Sequence, residues 1–298
     1  MCRATSKSKD MRHGEPEECR IPQAARAPNS QLTTMVDRRY AGHLNTATRS
    51  TPLILHATTA VQIIVRTDEA CCRPRGFLRG PKASPLMLDL SCASSYLELW
   101  LTPLGAFSLL GPRGAAGSRE PLISLSEISG WPGRELEEQL CAGQTWSDRF
   151  DLLDAFLLDH ANCAKSFLPE VGRAWAMLVE SGGTIPIGQV AKSVSWSHKH
   201  LITRFTQQIG LSPKIAARII RFDRARRSLR EYPSTALHEV ASTCGYADQS
   251  HLNRDFRKFS GITPSTYMRH FRGGSGEQPD VFSEKGRSAN EDCEIQSA

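Results

Sequence analysis

The sequence of 298 residues lacks long hydrophobic runs. No stretch of about 18 apolar residues occurs, which is the length that a membrane-spanning helix requires. The basic residues at its start are not followed by the apolar segment of a secretion signal. We therefore expect a protein that neither crosses a membrane nor is exported, and we predict a cytoplasmic location.

The sequence also lacks the residue spacings of metal and disulfide sites. Its nine cysteines are scattered and form no Cys-x-x-Cys pair, so neither a disulfide framework nor a zinc site is indicated. His43 and His56 stand apart and do not form the histidine and carboxylate cluster of a metal-dependent barrel. We expect reduced thiols, no metal and no cofactor. The adjacent Cys71 and Cys72 are the one place where a redox or metal-sensing role stays open.

What the sequence does contain is an internal repeat. Residues 190–213 and 240–264 are two imperfect copies of one segment, about fifty residues apart. They share a Val-Ala pair, an aromatic residue, a leucine, a phenylalanine, a glycine and a final Ser/Thr-Pro. A repeat of this kind defines a structural unit before any propensity is considered. Each copy has the pattern of a short helix, a turn and a second helix, which predicts two helix-turn-helix motifs.

The turn and the second helix of each copy have recognisable start signals. Gly245 supplies a backbone that can take positive φ in the second copy, whereas the first copy has Ser195 and Trp196, which predicts a turn built differently. Ser197 and Asp248 are the predicted N-caps, because their side-chain oxygens can accept from free amides of the helix that follows.

The second helix of each copy is predicted to be amphipathic. Leucine and phenylalanine lie four residues apart in both copies and form one buried stripe, Leu201 with Phe205 and Leu252 with Phe256. The remaining side chains point outward, and Ile202 is one of them. Polar and basic side chains there are suited to contact base edges and phosphates, and the predicted DNA-binding residues are His198, Lys199, Thr203, Arg204, Gln207, Gln249, Ser250, Asn253, Arg254, Arg257 and Lys258.

Positive charge is concentrated in the region of the repeat. Residues 167–272 contain 16 Lys and Arg against 7 Asp and Glu, a net charge of +9, whereas the whole chain carries +6. This concentration of positive charge favours a nucleic-acid-binding surface over a helix face that is merely solvated.

The two copies are joined by a segment with the pattern of one uninterrupted helix, from Ser212 to about Arg230. Pro213 suits its first turn, and apolar residues recur at spacings of three and four. Its arginines are expected to pair with Asp223 or Glu231 or to face phosphates. A helix of about 19 residues is about 28 Å long, which can place two recognition helices near one turn of a duplex apart.

Residues 174–271 resemble the DNA-binding domain of the AraC/XylS family of bacterial transcription regulators. The second copy carries most of this resemblance, with V-A-x-x-C-G-Y-x-D-Q-S-x-L-x-R-x-F-x-x-F-x-G-x-T-P-x-x-Y over residues 240–267. The first copy departs from it, because the arginine expected two residues after the leucine is Thr203, and Arg204 follows one position later. One residue rotates a side chain by about 100° around a helix. We therefore expect Arg204 to contact a phosphate.

Base reading is assigned to four of the outward side chains. In the second copy we expect Gln249 and Arg254 to read base edges, and in the first copy Lys199 and Thr203.

The N-terminal half has a different pattern. Between residues 40 and 112, short apolar runs alternate with period two and are interrupted by Pro and Gly, which predicts strands. Helices are expected at 103–110, 120–129, 134–140 and 146–159, with a flexible connection at 111–117. This half resembles the sensor-like domain that precedes the DNA-binding domain in one AraC subset, through Arg79-Gly80-Pro81 and Leu101-Thr102-Pro103-Leu104-Gly105. A small β-barrel followed by helices is compatible with it.

We therefore predict a multidomain chain, with an N-terminal α+β domain and a C-terminal all-α domain in which a long helix joins two helix-turn-helix motifs. The predicted segments are a disordered one at 1–34, a sensor or regulatory domain at 35–162, an AraC-type DNA-binding domain at 163–272 and a disordered tail at 273–298.

The resemblance implies a sequence-specific transcription regulator, without enzymatic activity, that reads two successive major-groove segments of promoter DNA. It leaves open RNA polymerase and a small-molecule effector as further partners, and a monomer or a homodimer as the active form. One alternative is a DNA-binding domain fused to a cysteine-based DNA-repair or sensing module, for which Cys71 and Cys72 are the candidates although a histidine partner is lacking. A second alternative is nonspecific nucleoid binding.

Overall fold

The structure is a computed structural model, and it describes residues 4–5, 15–16, 22–44, 52–68, 74–90, 93–116, 121–161 and 165–272. The tail predicted to be disordered, 273–298, lies outside the described residues. So do Cys71 and Cys72. No helix in the described ranges has both the length and the apolar character needed to cross a membrane.

The N-terminal half contains strands, as the period-two pattern predicts, and they form two sheets. The strands are β1 Ala4–Thr5, β2 Glu15–Pro16, β3 Ala24–Arg26, β4 Tyr40–Leu44, β5 Leu53–Leu55, β6 Val61–Arg66, β7 Gly76–Arg79, β8 Leu86–Leu88, β9 Ser95–Leu101 and β10 Ile123–Ser124. One sheet has the order β1-β8-β5-β2 and the other β10-β7-β6-β9-β4-β3. Alternate residues of β6 and β9 face opposite sides, and the side chains of Ile64 and Tyr96 meet leucines of β5 and β8 between the sheets.

Helices cover the other face of the larger sheet. They are α1 Pro103–Ala116, α2 Gly133–Ala142 and α3 Trp146–Ala161. Two expectations were wrong. Residues 120–129 do not form a helix, since the described part contains β10 and a short 3-10 helix, Leu125–Glu127. The segment 111–117 is not simply a flexible connection, because α1 continues through a kink at Gly111 to residue 116.

The first 34 residues are also not wholly disordered as predicted. β3 pairs with β4 in the larger sheet, and Leu32 is fully buried. Arg26 explains why this polar segment is held, because its guanidinium forms ion pairs with Asp151 at 2.6 Å and Asp154 at 2.9 Å on α3. The N-terminal domain therefore begins earlier than position 35.

The C-terminal half is all α-helical, as predicted. Its helices are α4 Pro169–Glu180, α5 Ile187–Ser193, α6 His198–Ile209, α7 Pro213–Glu231, α8 Leu237–Thr243, α9 Gln249–Ser260 and α10 Pro264–Arg272. The long helix α7 lies between two apolar cores. Ala216 and Ala217 face the core around α5 and α6, whereas Ile219, Phe222 and Leu229 face the core around α8 and α9.

The two halves contact each other at two places. The turn after β5 enters the second apolar core of the C-terminal half, where the Ala57 amide donates to the Phe259 carbonyl at 2.7 Å. The His56 ring packs edge-on against Phe222 and Tyr267. Helix α1 packs against α6, and its Leu104 contacts the first apolar core. The helix-turn-helix region is therefore attached to the sheet domain through both of its modules.

Candidate nucleic-acid interface

The two predicted helix-turn-helix motifs are α5-α6 and α8-α9, and their turns have the same geometry. The Trp196 and Tyr246 amides each donate at 2.9 Å to the carbonyl of the buried alanine five residues earlier. Gly245 has φ of 75° and Ser195 has φ of 58°. The prediction that the first turn is built differently was wrong, because a serine adopts the left-handed conformation that the second copy assigns to glycine.

Both second helices begin at the predicted caps. The Ser197 side chain accepts from the His200 amide at 3.2 Å, and the Asp248 side chain accepts from the His251 amide at 2.6 Å. The extra residue of the second copy, Ala247, precedes its cap and leaves the helix register unchanged. Helices α6 and α9 both end at a glycine with positive φ, Gly210 and Gly261.

The predicted stripes are buried in full. Leu201, Phe205, Leu252 and Phe256 each have no exposed surface. The opposite face of each helix is therefore turned to solvent, and the eleven predicted DNA-binding residues lie there. Ten are exposed, and Asn253 is partly buried. Five residues of α9 surround a shallow concavity on this face: Ser250, Asn253, Arg254, Arg257 and Lys258.

Hydrogen bonds within α6 occupy polar atoms of Thr203 and Arg204. The Thr203 hydroxyl donates to the Lys199 carbonyl at 3.0 Å, so it is left with its oxygen lone pairs and its methyl group for a ligand. The Arg204 guanidinium lies 3.4 Å from the Gln207 side-chain oxygen, within one turn of the same helix. Arg204 and Gln207 therefore form one polar group on the exposed face of α6.

The arginines of α7 hold the domain together more than the sequence indicates. Asp223 pairs with Arg226 and with Arg227, as expected. Arg218, however, pairs with Asp255 of α9, through Nη2 at 2.5 Å and Nε at 3.3 Å. This hydrogen-bonded pairing raises the pKa of Arg218. The sequence does not predict this pairing, because no local pattern marks a carboxylate on a polar helix as buried.

A further arginine of α7 supports the turn of the second motif. The Arg221 guanidinium donates to the Gly245 carbonyl at 3.1 Å and lies 5.4 Å from the centre of the Tyr246 ring. Burial raises the pKa of the Tyr246 phenol above its usual range. Helix α7 thus fixes the turn and the recognition helix of the second module together.

Residue Ile202 belongs to the same exposed face but was not among the predicted DNA-binding residues. Its side chain is 37% exposed, in the middle of polar neighbours on α6. Its place in the repeat, directly after Leu201 on the outward side, predicts this exposure, but no contact with DNA was assigned to it.

Comparison with protein families identifies this region. A family model described as a helix-turn-helix domain matches residues 190–270, which include both motifs and α7. These residues are an AraC-type helix-turn-helix domain. The match covers the whole candidate interface and none of the sheet domain.

Several bacterial regulators are similar to the AraC-type domain. An HTH-type transcriptional regulator of Mycobacterium tuberculosis is 31% identical over 91 residues, covering 30% of this chain and 35% of the relative. The lactose operon transcription activator of Staphylococcus xylosus is 33% identical, covering 29% and 31%. The Msm operon regulatory protein of Streptococcus mutans is 20% identical, covering 51% and 55%. The chain therefore spans between 31% and 55% of the length of these relatives.

Solved structures resemble the chain more distantly. ToxT from Vibrio cholerae is 13% identical, with coverage of 78% of this chain and 99% of that one and a TM-score of 0.44. The C-terminal domain of AraT from Geobacillus stearothermophilus is 22% identical, with coverage of 41% and 97% and a TM-score of 0.34.

Proposed function

We propose that the protein is a transcription regulator that binds a specific promoter sequence through α6 and α9. The observation that supports this most strongly is the equivalence of the two modules. Both have the same turn hydrogen bonds, capped recognition helices and exposed outward faces, although their outward side chains differ. Different side chains on equivalent helices are suited to read two different half-sites of an asymmetric site.

The geometry of α7 sets the distance between the half-sites. Its 19 residues correspond to a length of about 28 Å. Two recognition helices joined in this way can enter successive major-groove segments about 34 Å apart on one face of a duplex. Both helices belong to one chain, so a single protomer is sufficient for reading both half-sites.

Roles are divided among the exposed side chains by their chemistry. Gln249 and Arg254 read base edges in one half-site, and Lys199 and Thr203 do so in the other. Ile202 adds an apolar surface that suits the methyl group of thymine. Arg204, Arg257 and Lys258 contact phosphates, which supply affinity without sequence preference.

The partners follow from this role. Double-stranded promoter DNA is the primary partner, and its compartment in bacteria is the cytoplasm. RNA polymerase is a second partner, because a regulator bound beside a promoter acts by recruiting or excluding it. The N-terminal sheet domain is assigned a regulatory role, since it contacts both modules.

Selection of DNA from a random pool with the full chain tests this function. Two conserved half-sites about one duplex turn apart are expected. Enrichment of a single half-site would limit reading to one module. A pool without enrichment, together with binding that depends only on salt, would support nonspecific nucleoid binding instead.

A further inference from the structure

The turn after β5 closes the end of a recognition helix. The Ala57 amide donates at 2.7 Å to the carbonyl of Phe259. This is one of the last four carbonyls of α9, which a helix leaves without a partner of its own. The His56 ring is 5% exposed and lies edge-on against Phe222 of α7 and Tyr267 of α10. These five residues are called the joint, because they connect the sheet domain to the second module.

A second histidine lies beside the joint. His270 is an exposed residue of α10, three positions after Tyr267, so the two are neighbours on one side of the helix. It is close enough to His56 for a charge on one imidazole to act on the other. Partial burial lowers the pKa of His270, and the charges of Arg269 and His56 lower it further. The protonated form of His270 is therefore disfavoured while the two halves are joined.

The charged side chains that the sheet domain contributes here are positive. Arg79 is 1% exposed, and its guanidinium donates to the carbonyls of His56 at 2.7 Å and of Ser84 at 3.0 Å. Lys82 is held to Thr58, two residues after His56, by two backbone hydrogen bonds of 3.0 Å. Burial lowers the pKa of Lys82, and the charge of Arg79 lowers it further. A proton added to His56 therefore arrives among cations.

The side of the joint that faces α7 has no excess of negative charge either. His56 and Ala57 border a cavity whose described lining contains four arginines against three carboxylates. The arginines are Arg38, Arg224, Arg226 and Arg227, and the carboxylates are Asp37, Asp223 and Glu231. Asp223 binds both Arg226 and Arg227. The positive charge of two protonated histidines is therefore not balanced from this side.

We propose that the joint is an acid-sensitive contact, in which protonation of His56 and His270 separates the sheet domain from the second module. Two imidazolium ions repel each other and the guanidinium of Arg79. Because the pKa of His270 is lowered in the joined form, that form binds fewer protons than the separated one. Its stability is therefore fully present well above the usual histidine pKa of 6.5 and is lost as the pH falls.

Separation at the joint changes the end of α9. The Phe259 carbonyl loses the Ala57 amide, and Phe222 and Tyr267 lose the ring that covers them. The contact between α1 and α6 is not part of the joint, so the sheet domain stays attached to the first module. The consequence for DNA recognition rests on the proposed function, whereas the separation itself does not.

Hydrogen exchange of the full chain, read by mass spectrometry in peptides from the turn after β5 and from the end of α9, tests the joint. Rates are divided by those of the unstructured peptides at the same pH, which removes the intrinsic effect of pH on exchange. Histidine changes its charge between about pH 8 and about pH 5. Over that range both peptides should lose protection about fivefold or more, as in usual couplings between two sites. Peptides of α5 should keep their protection.

Three variants assign the response. His56→Phe keeps a flat ring against Phe222 and Tyr267 but does not titrate, and His270→Gln keeps a polar side chain at an exposed position. Each should reduce the loss of protection, and the double variant should abolish it. His238→Gln, which changes an exposed histidine of α8, is the matched control and should respond as the wild type does.

The proposal is overturned if acidification leaves protection in the wild type unchanged or increases it, or if the double variant keeps the full response. Should His56→Phe fail to fold, His270→Gln decides alone, and an unchanged response in it counts against the joint. Titration of the same samples with selected DNA at neutral pH separates this proposal from the proposed function. Sequence-specific binding without the acid response would leave the regulator and remove the acid-sensitive joint, and the converse would do the opposite.

Discussion

Arg218 of α7 and Asp255 of α9 form a two-point ion pair in which the carboxylate is buried, with 2% of its side chain exposed. Asp255 lies between Arg254, which faces solvent, and Phe256, which faces the core. The pair therefore sets the rotation of α9 about its axis, and with it the direction in which Arg254 points. The orientation of the proposed base-reading face of α9 therefore depends on a contact on the buried side of that helix.

Loss of Arg218 should destabilise the protein strongly. Arg218→Ala leaves the Asp255 carboxylate buried without its partner, and breaking such a pair costs about 3 kcal/mol. Thermal unfolding should show this against Arg230→Ala, an exposed arginine of the same helix, which should change stability by less than about 0.5 kcal/mol. Joint replacement by Arg218→Met and Asp255→Leu should recover most of the loss. Equal effects of Arg218→Ala and Arg230→Ala on stability would show that the pair is not structural.

Two arginines of α9 should have different effects on DNA binding. Arg254→Ala should cost roughly 1 to 3 kcal/mol on the selected sequence and relax base preference in one half-site. Arg257→Ala should weaken binding to selected and random DNA alike. It should also reduce the slope of log affinity against log salt concentration by about the amount expected for one phosphate contact. Binding curves at several salt concentrations separate the two. If Arg254→Ala changes neither affinity nor preference, the assigned docking face is wrong.

The two turns offer a matched test of backbone strain. Ser195→Gly should stabilise the protein by up to about 1 kcal/mol, because serine at φ of 58° is strained and glycine is not. Gly245→Ala should destabilise it by more than about 1 kcal/mol. At that position the φ is 75°, and an added Cβ would lie 2.5 Å from Cγ2 of Thr184. Chemical unfolding should show shifts of opposite sign, and shifts of the same sign would refute the shared geometry.

The parts of this fold that were predicted correctly are those controlled by neighbours in sequence. Spacings of three and four residues, the caps Ser197 and Asp248, and the proline start of α7 all act within one or two helical turns. Two features that were missed involve distant partners. Arg26 meets α3 more than 120 residues away, which orders a segment whose own composition indicates disorder. Asp255 meets an arginine 37 residues earlier, a pairing that no local pattern contains.

Titration of the buried Cys244 thiol should contribute to the pH dependence of stability. Burial raises its pKa above the usual value of 9.0, so the unfolded chain loses this proton at lower pH than the native protein. The protonated thiol therefore contributes to the free energy of unfolding below pH 9, and this contribution is lost as the pH rises further. Unfolding temperatures between pH 8 and pH 10 should fall less in Cys244→Ala than in the wild type. The buried phenols of Tyr40 and Tyr246, whose pKa values are also raised, add a loss at still higher pH in both proteins.

The contribution of Ile202 can be measured by removing a single methyl group from DNA. Its side chain is 37% exposed among polar neighbours, and an apolar side chain on a base-reading face is expected to contact the methyl group of thymine. Replacing each thymine of the selected site by uracil, one at a time, deletes only that methyl. At one position in the half-site of α6 the wild type should lose affinity by about 1 kcal/mol, the value of roughly one buried methylene.

The variant Ile202→Ala isolates this contact from the rest of α6. It should bind the thymine and uracil forms at that position equally and keep its response to changes in the other half-site. The exposed position makes the substitution harmless to the core, since Leu201 and Phe205 supply the buried stripe. If the thymine methyl still contributes to the affinity of Ile202→Ala, another residue of α6 makes the contact. The methyl group of Thr203 would be tested next, because the Thr203 hydroxyl already donates to the Lys199 carbonyl.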